Sequence, residues 1–359
     1  MQYSTLKKKR NDMNQDIKQR GLVNYALKNG GSIHPLLVNP KETDGNGLMN
    51  PSVFIDDDGK ILVNIRHINY TLYHSEGKDY PHQWGPLQYV HPEDDLTLRT
   101  NNFIAELNND LTTKSVSKVN MKLDKKPIWH FIGLEDARLF RWNGKLYICG
   151  VRRDHIDSKG KGRMDLSELL FNGIEYEEVS RHSIPAPTPN TSYCEKNWMP
   201  ILNQPFHWVK WCNPTEIVRF DVEQGETETV HCDHSKTYKF PRDIRGGSQV
   251  VEWQNHYIAV THEVNLYRDG LGRKDGKYLQ RIIVWDKDWN IVKHTDDFSF
   301  MKGEIEFVTG LAFHKGNALL SFGFQDNAAF LLSIPEPVFE NIVMRGSTTI
   351  FAGKRESWS

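Results

Sequence analysis

Long hydrophobic runs are absent from this sequence, and with them the stretches of about twenty apolar residues that a membrane-spanning helix needs. The opening MQYSTLKKKRNDMNQDIKQR also lacks the apolar centre of a secretory signal, so the chain reads as cytoplasmic. An excess of one charge is missing too. Lys and Arg number 45 against 46 Asp and Glu, a net charge of −1, so no overall field draws the protein to nucleic acid or an anionic membrane. Within that balance the KKKR of Lys7 to Arg10 reads as a solvated helix end. Cysteine is scarce: Cys149, Cys194, Cys212 and Cys232 show no CxxC spacing, which argues against a disulfide framework and fits free thiols in a reducing compartment. Helical periodicity is scarce as well, being convincing only from Asn11 to about Lys28, where NGG stops it.

What the sequence has in quantity is one repeated unit, a β-rich run, a polar turn and a second β-rich run. It occurs in PSVFIDDDGKILVNIRH, ARLFRWNGKLYICGVRR, MPILNQPFHWVKWCN, SQVVEWQNHYIAVTHE and LAFHKGNALLSFGFQD. The turns DDGK, WNGK and HKGN carry the Asp, Asn and Gly that reverse a chain between strands. Repeated hairpins with further Val, Ile, Tyr and Trp-rich segments between them imply radially arranged antiparallel sheets, which leave only short edges. The fold class expected is all-β, a five-bladed β-propeller with a short N-terminal helical extension. Its expected divisions are residues 1–30 for the extension, 31–345 for the propeller catalytic domain and 346–359 for a C-terminal tail.

The open ends of these hairpins are polar. Asn50 and Arg66 flank the first, Glu135, Asp136 and Arg152 the second, and Lys196 precedes the third. RGGS from Arg245 to Ser248 precedes the fourth, which His262 closes, and Glu306 and Asp326 flank the fifth. In a propeller the innermost strands converge on one axis, so such ends meet in one funnel. Apolar hairpins that repeatedly place a charge or amide at the same end would carry a large desolvation cost unless these groups pair or bind a polar ligand, and a polyol fits that demand. Strand alternation sets a further expectation: if Asp136 faces the funnel, Glu135 turns into sheet packing. Like charge at Glu135 raises a neighbouring carboxyl's pKa and Arg138 lowers it, so one acid stays protonated while the other ionises.

These segments resemble the five-bladed propeller enzymes of glycoside hydrolase family 130, the β-mannoside phosphorylases and mannosidases, and the related glycosyltransferase family 108. MNPSVFIDDDGKILVNIRH is similar to the family's Asn-bearing first hairpin, and GLEDARLFRWNGKLYI to its EDPR signature, with Ala137 in place of proline. EKNWMPI, GGSQVVEWQNHYIAVTHE and IEFVTGLAFHKGNALLSFGFQD follow in the family's order. The resemblance implies that Asp136 is the catalytic acid, acting through a hydroxyl of the bound sugar with inversion. It implies that Arg138 orients Asp136 and that Asn50, Arg66, Lys196 and Asp326 hold the donor sugar, with Glu135 and Glu306 also on the substrate side.

The acceptor stays open at this point. Phosphate needs directed cations, for which Arg152, Arg153, Arg163, Arg245 and His262 are candidates. The same arginines suit the diphosphate of a sugar nucleotide. A hydrolase needs a carboxylate base, Glu263 or Glu195. The contrasting class is a non-catalytic glycan-binding propeller. No cofactor is expected beyond inorganic phosphate or a sugar nucleotide as co-substrate, and the partner is a glycan or sugar-phosphate, with an oligomer compatible and no nucleic acid. HCDH, His231 to His234, lacks a second ligand pair at zinc-site spacing and reads as a connecting loop. Trp84, Trp129 and Trp198 are candidate sugar platforms, although most of the tryptophans belong to the core.

Overall fold

Each of the hairpins expected from turn chemistry forms as an antiparallel pair in the computed structural model, which describes residues 12–43, 45, 47–71, 97–189, 192–268, 270, 274–345 and 347–349. The pairs are Leu48–Ile55 with Ile61–Ile68, Glu135–Trp142 with Lys145–Arg152, Met199–Pro200 with His207–Cys212, Val251–Trp253 with His256–Arg268, and Glu306–His314 with Asn317–Phe324. Each pair continues outward into further antiparallel strands. The last sheet takes its outer strand, Ser32–Pro35, from the start of the chain, where it pairs with Ala328–Pro335. Chain start and chain end are thereby tied into one sheet. Lys7 to Arg10, Trp84, residues 1–11 of the expected extension and most of the tail lie outside the described residues.

Apolar clusters lie between successive sheets. Phe54 and Leu62 of the first hairpin share a core with Phe140 and Ile148 of the second and Trp208 of the third strand group. Val209 and Ile217 pack with Ala259 and Ile283, Val260 and Ile282 with Leu320, and Leu319 with Val53 and Val63. The succession returns to its start, so the sheets form a ring, and the fold is all-β and propeller-like.

At the inner ends of the sheets a buried amide replaces apolar contact. The Nε2 of Gln249 donates to Ser52 Oγ, Val53 O and Leu139 O at 2.8–3.0 Å, and its Oε1 accepts from Leu311 N at 3.3 Å. One side chain therefore satisfies groups on three neighbouring hairpins. Gln249→Ala leaves these buried carbonyls without partners, and the expected loss of stability is about 3 kcal/mol, since each stranded group costs ~1–3 kcal/mol. Urea unfolding monitored by tryptophan fluorescence checks it; an unchanged midpoint would deny the amide its role.

The expected N-terminal helix is present but broken. Residues 12–20 and Leu22–Lys28 are helical on either side of Gly21, which sits at φ +84°. A Cβ there would lie 2.4 Å from the Phe300 carbonyl oxygen, so the break follows from the close approach of the two segments. Ser299 and Phe300 carbonyls in turn accept from the N–H groups of Leu22 and Val23, which have no partner within the new helix. Ile17, Leu22, Val23 and Ala26 pack with Phe298, Phe300 and Ile342 on the outside of the sheets. A second outer helix, Glu336–Arg345, is not expected from periodicity. Pro337 in its first turn, a position proline tolerates, hides it, and Phe339, Ile342 and Val343 anchor it to the same cluster.

Candidate active site

The hairpin mouths are shaped by irregularities. The strand register slips between Met49 and Ser52 and again between Glu135 and Arg138. Asn50, Asp136, Asn197 and Asp326 all adopt positive φ, between 43° and 62°. Asn and Asp accept this left-handed conformation more readily than other residues with a Cβ, which explains why amides and carboxylates occupy these corners. Bulges re-aim side chains. Glu135 and Asp136 therefore both line the central cavity, which overturns the expectation from alternation that Glu135 turns into packing. Gly150 on the facing strand makes room, since a Cβ there would come within 2.3 Å of the Glu135 carbonyl oxygen.

The cavity measures about 320 Å³, within the ~300–1,000 Å³ range of small-molecule sites. Asn50, Arg66, Glu135, Asp136, Arg153, Lys196, Arg245, His262 and Asp326 all contribute to its lining. Residues up to 276 positions apart thus share one site. Tyr70, Phe131, Asn197, Tyr278 and Phe307 also line it and were missed in the sequence reading. Asn197 did carry a signal, standing before the Trp-Met-Pro strand as Asn50 stands before Pro-Ser. Tyr70 follows the end of Ile61–Ile68 and Tyr278 lies within Lys274–Trp285, with nothing in the surrounding sequence to mark either.

Asp136 is held from two sides. Its Oδ1 accepts from Asn50 Nδ2 and from an Arg66 Nη1, both at 2.7 Å. Arg66 also reaches Glu135 Oε2 at 3.4 Å and Thr100 Oγ1 at 3.2–3.3 Å. Burial opposes ionisation of Asp136 most strongly, but Arg66, the Asn50 amide, Arg138 and Lys196 together outweigh it and hold the carboxyl below its ordinary value. Of the two neighbouring acids, Asp136 is the one this clasp keeps ionised. Arg138 reaches Asp136 through the backbone. Buried and pulled down to about 10 by that burial, it donates to the main-chain carbonyl of Asp136 at 2.6 Å and to Gly247 O at 2.6 and 2.8 Å. It pins the bulge that presents Asp136 and acts on the carboxylate through its charge alone.

Several candidates stand elsewhere. Arg152 is buried away from the cavity among Asp124, Asp154 and Asp165, at 2.9, 3.4 and 3.2 Å. Its neighbour Arg153, just past the end of that strand, lines the cavity instead. Arg163 donates to the carbonyls of Gly162 and Ser192. Glu306 accepts from the N–H groups of Phe300, Met301 and Gly303, which makes it the clamp of a loop and no part of the lining. Glu263 is fully buried in an ion pair with Arg281 at 2.7 Å, and Glu195 accepts from the Trp198 indole at 3.0 Å. His262 does line the cavity, but burial above all, then Lys196, Arg245 and Arg138, pushes it down to about 3, against a smaller opposing hydrogen bond. It is neutral, with Nδ1–H donating to Gly246 O at 2.8 Å, and brings no positive charge for an anion. Of the tryptophan platforms, Trp198 is buried, Trp129 stands beside His130 outside the lining, and Trp84 lies outside the described residues.

With this geometry in hand, the chain finds its counterparts among solved structures. It is similar to a β-1,2-mannobiose phosphorylase from Listeria innocua in complex with β-1,2-mannobiose (14% identity, covering 85% of this chain and 94% of that one, TM-score 0.51). It is also similar to a glycosyl hydrolase from Bacteroides ovatus (12% identity, 80% and 84% covered, TM-score 0.51). A third is a structure from the GH130 family of mannoside phosphorylases, which contains hydrolases that target β-1,2 mannosidic linkages in Candida mannan (11% identity, 80% and 84% covered, TM-score 0.50). At such identities the likeness establishes the fold. No protein-family model matches the sequence, and no curated protein matches it.

Proposed function

We propose that residues 31–345 form a five-bladed propeller enzyme that transfers a β-mannosyl-type unit with inversion, with inorganic phosphate as acceptor, and that residues 1–30 and 346–359 flank it. The observation that carries this reading is the make-up of one cavity. It combines a clasped carboxylate, Asp136, with the cationic side chains of Arg153, Lys196 and Arg245. The two carboxylates expected to activate water, Glu263 and Glu195, are engaged elsewhere. The fold shared with a β-1,2-mannobiose phosphorylase directs the reading to β-mannosides.

In this reading Asn50, Arg66, Lys196 and Asp326 bind the hydroxyls of the donor sugar. A phosphate oxygen held by Arg153 and Arg245 attacks the anomeric carbon from the face opposite the glycosidic bond. The C–O bond breaks, the departing oxygen takes a proton from a sugar hydroxyl, and Asp136 returns a proton to that hydroxyl. Products are a sugar 1-phosphate and the shortened saccharide. The same cations also suit the diphosphate of a sugar nucleotide, which keeps a glycosyltransferase as the second reading.

Incubation with β-mannosides, with and without inorganic phosphate, tests it. Sugar 1-phosphate formed only when phosphate is present is the expected result. Free mannose formed without phosphate would assign hydrolysis instead, and product formed only from a sugar nucleotide would assign transfer. Glycan affinity without any turnover would leave a binding propeller.

A further inference from the structure

Asp154 directly follows Arg153 in the chain but lines no part of the cavity. Its side chain, 1% exposed, turns into the charge cluster around Arg152. Arg152 Nη1 lies 3.4 Å from Asp154 Oδ2, and Asp124 and Asp165 meet the same guanidinium at 2.9 and 3.2 Å. His155 Nδ1 lies 3.3 Å from Asp154 Oδ1. Arg153 therefore stands between two residues whose side chains are buried in one cluster, while its own side chain reaches the cavity.

Ion pairing does not exhaust what Asp154 does. Its Oδ2 also accepts from the Gly133 N–H at 3.0 Å, and its main-chain carbonyl accepts from the Ile128 N–H at 2.8 Å. One residue thus ties down both ends of the segment 128–133. Within that segment Phe131 lines the cavity, and the Arg153 guanidinium lies over its ring, 5.7 Å from the centroid. The Tyr193 ring at 5.9 Å and Cys194 Sγ at 3.2 Å also meet this guanidinium. Gly133 offers only its N–H as a handle. At φ +100° a Cβ there would lie 2.3 Å from the Thr100 carbonyl oxygen. Glu135 and Asp136 follow two and three residues later, so Asp154 links the backbone of Arg153 to the approach of the catalytic bulge.

We propose that Asp154 is a positioning residue for the acceptor site: by holding Ile128 and Gly133 it fixes the Phe131 ring against Arg153 and so aims that guanidinium at the phosphate. The inference rests on the function proposed above. Asp165 supplies the contrast. It pairs with the same Arg152 from the next strand, opposite Gly150, and bonds to nothing in segment 128–133 among the described residues.

The test compares wild type with Asp154→Ala, Asp154→Asn and Asp165→Asn. In D154A the KM for inorganic phosphate is expected to rise about tenfold, the worth of one charge-assisted hydrogen bond, while the KM for the β-mannoside is kept. D154N retains an oxygen for the Gly133 N–H but not the charge beside Arg152, and is expected at about threefold, half of that free energy. D165N removes the same charge from the cluster and is expected to keep the wild-type KM for phosphate. The position of Arg153 is read without substrate from its side-chain Nε–H signal in ¹⁵N-labelled protein, assigned by its loss in Arg153→Lys. The Phe131 and Tyr193 rings shift that signal, so it should move in D154A and stay in D165N. A wild-type KM for phosphate in D154A, or a rise in D165N equal to that in D154A, would overturn the proposal. Should D154A fail to fold, a D154N protein matching D165N in both readouts would overturn it. If wild type shows no phosphate-dependent turnover, the acceptor reading fails, and the Arg153 signal decides the positioning: unmoved in D154A, it denies Asp154 the role.

Discussion

Replacing Asp136 by asparagine is expected to lower kcat on β-mannosides by ~10²–10⁴-fold, the usual worth of a positioned acid, while glycan affinity is largely kept. The substitution preserves shape and the contact with Arg66, and removes only the group that carries the proton. At rest that group is ionised, because Arg66 and the Asn50 amide outweigh the burial that opposes its charge. The proton that it delivers must then be taken up as substrate binds, so turnover should rise toward acid pH. Asn50→Ala removes one of the causes that depress the Asp136 pKa, so the alkaline limb of the kcat/KM profile should move to higher pH. A D136N enzyme with wild-type kcat, or an N50A profile displaced toward acid, would remove Asp136 from the proton path. In a glycan-binding propeller D136N would have no turnover to lose.

A second large effect is expected in stability, at His262. Burial holds this imidazole neutral down to about pH 3 in the folded protein, against an ordinary value of 6.5. Between those values the unfolded chain binds a proton that the folded chain refuses, so this residue's contribution to stability falls as pH drops, by about 1.4 kcal/mol per pH unit. Asp165 works in the opposite sense. Burial lifts it to about 6, so it binds its proton more readily when folded and adds stability as pH falls from about 6 toward its ordinary 3.8. The wild-type curve therefore sums opposed slopes, and the His262 slope emerges only as a difference. His262→Phe, packed against Tyr278 and Phe307, is expected to gain on the wild type steadily as pH falls from 6.5 to 4. Urea unfolding of both proteins across that range checks it. A constant difference would mean that His262 titrates normally in the folded protein.

Where the sequence reading succeeded and where it failed follows from the range of the interactions concerned. The hairpins were legible because DDGK, WNGK and HKGN act within a few residues. The polar ends were legible because a charge beside an apolar strand is conspicuous in one dimension. The partners were not. Arg152 and Arg153 look equivalent as a pair, yet one is enclosed by Asp124, Asp154 and Asp165 while the other lines the cavity. Glu263 and Glu306 look like available acids until Arg281 and three backbone N–H groups are found against them. Strand alternation misplaces Glu135 because a bulge is a property of two paired strands, whereas alternation belongs to one strand alone.

By itself, the sequence determined the strand-and-turn rhythm, the lack of any surplus charge or long apolar run, and the supply of carboxylates, amides and arginines at the strand mouths. These are local properties, set by side-chain chemistry and backbone preference over a few residues. Only the tertiary structure decided which of those groups share a cavity, which are spent on one another, and which proton states result. Burial and Coulomb interaction depend on distances in space, and residues 50, 136 and 326 become neighbours only when the ring of sheets closes.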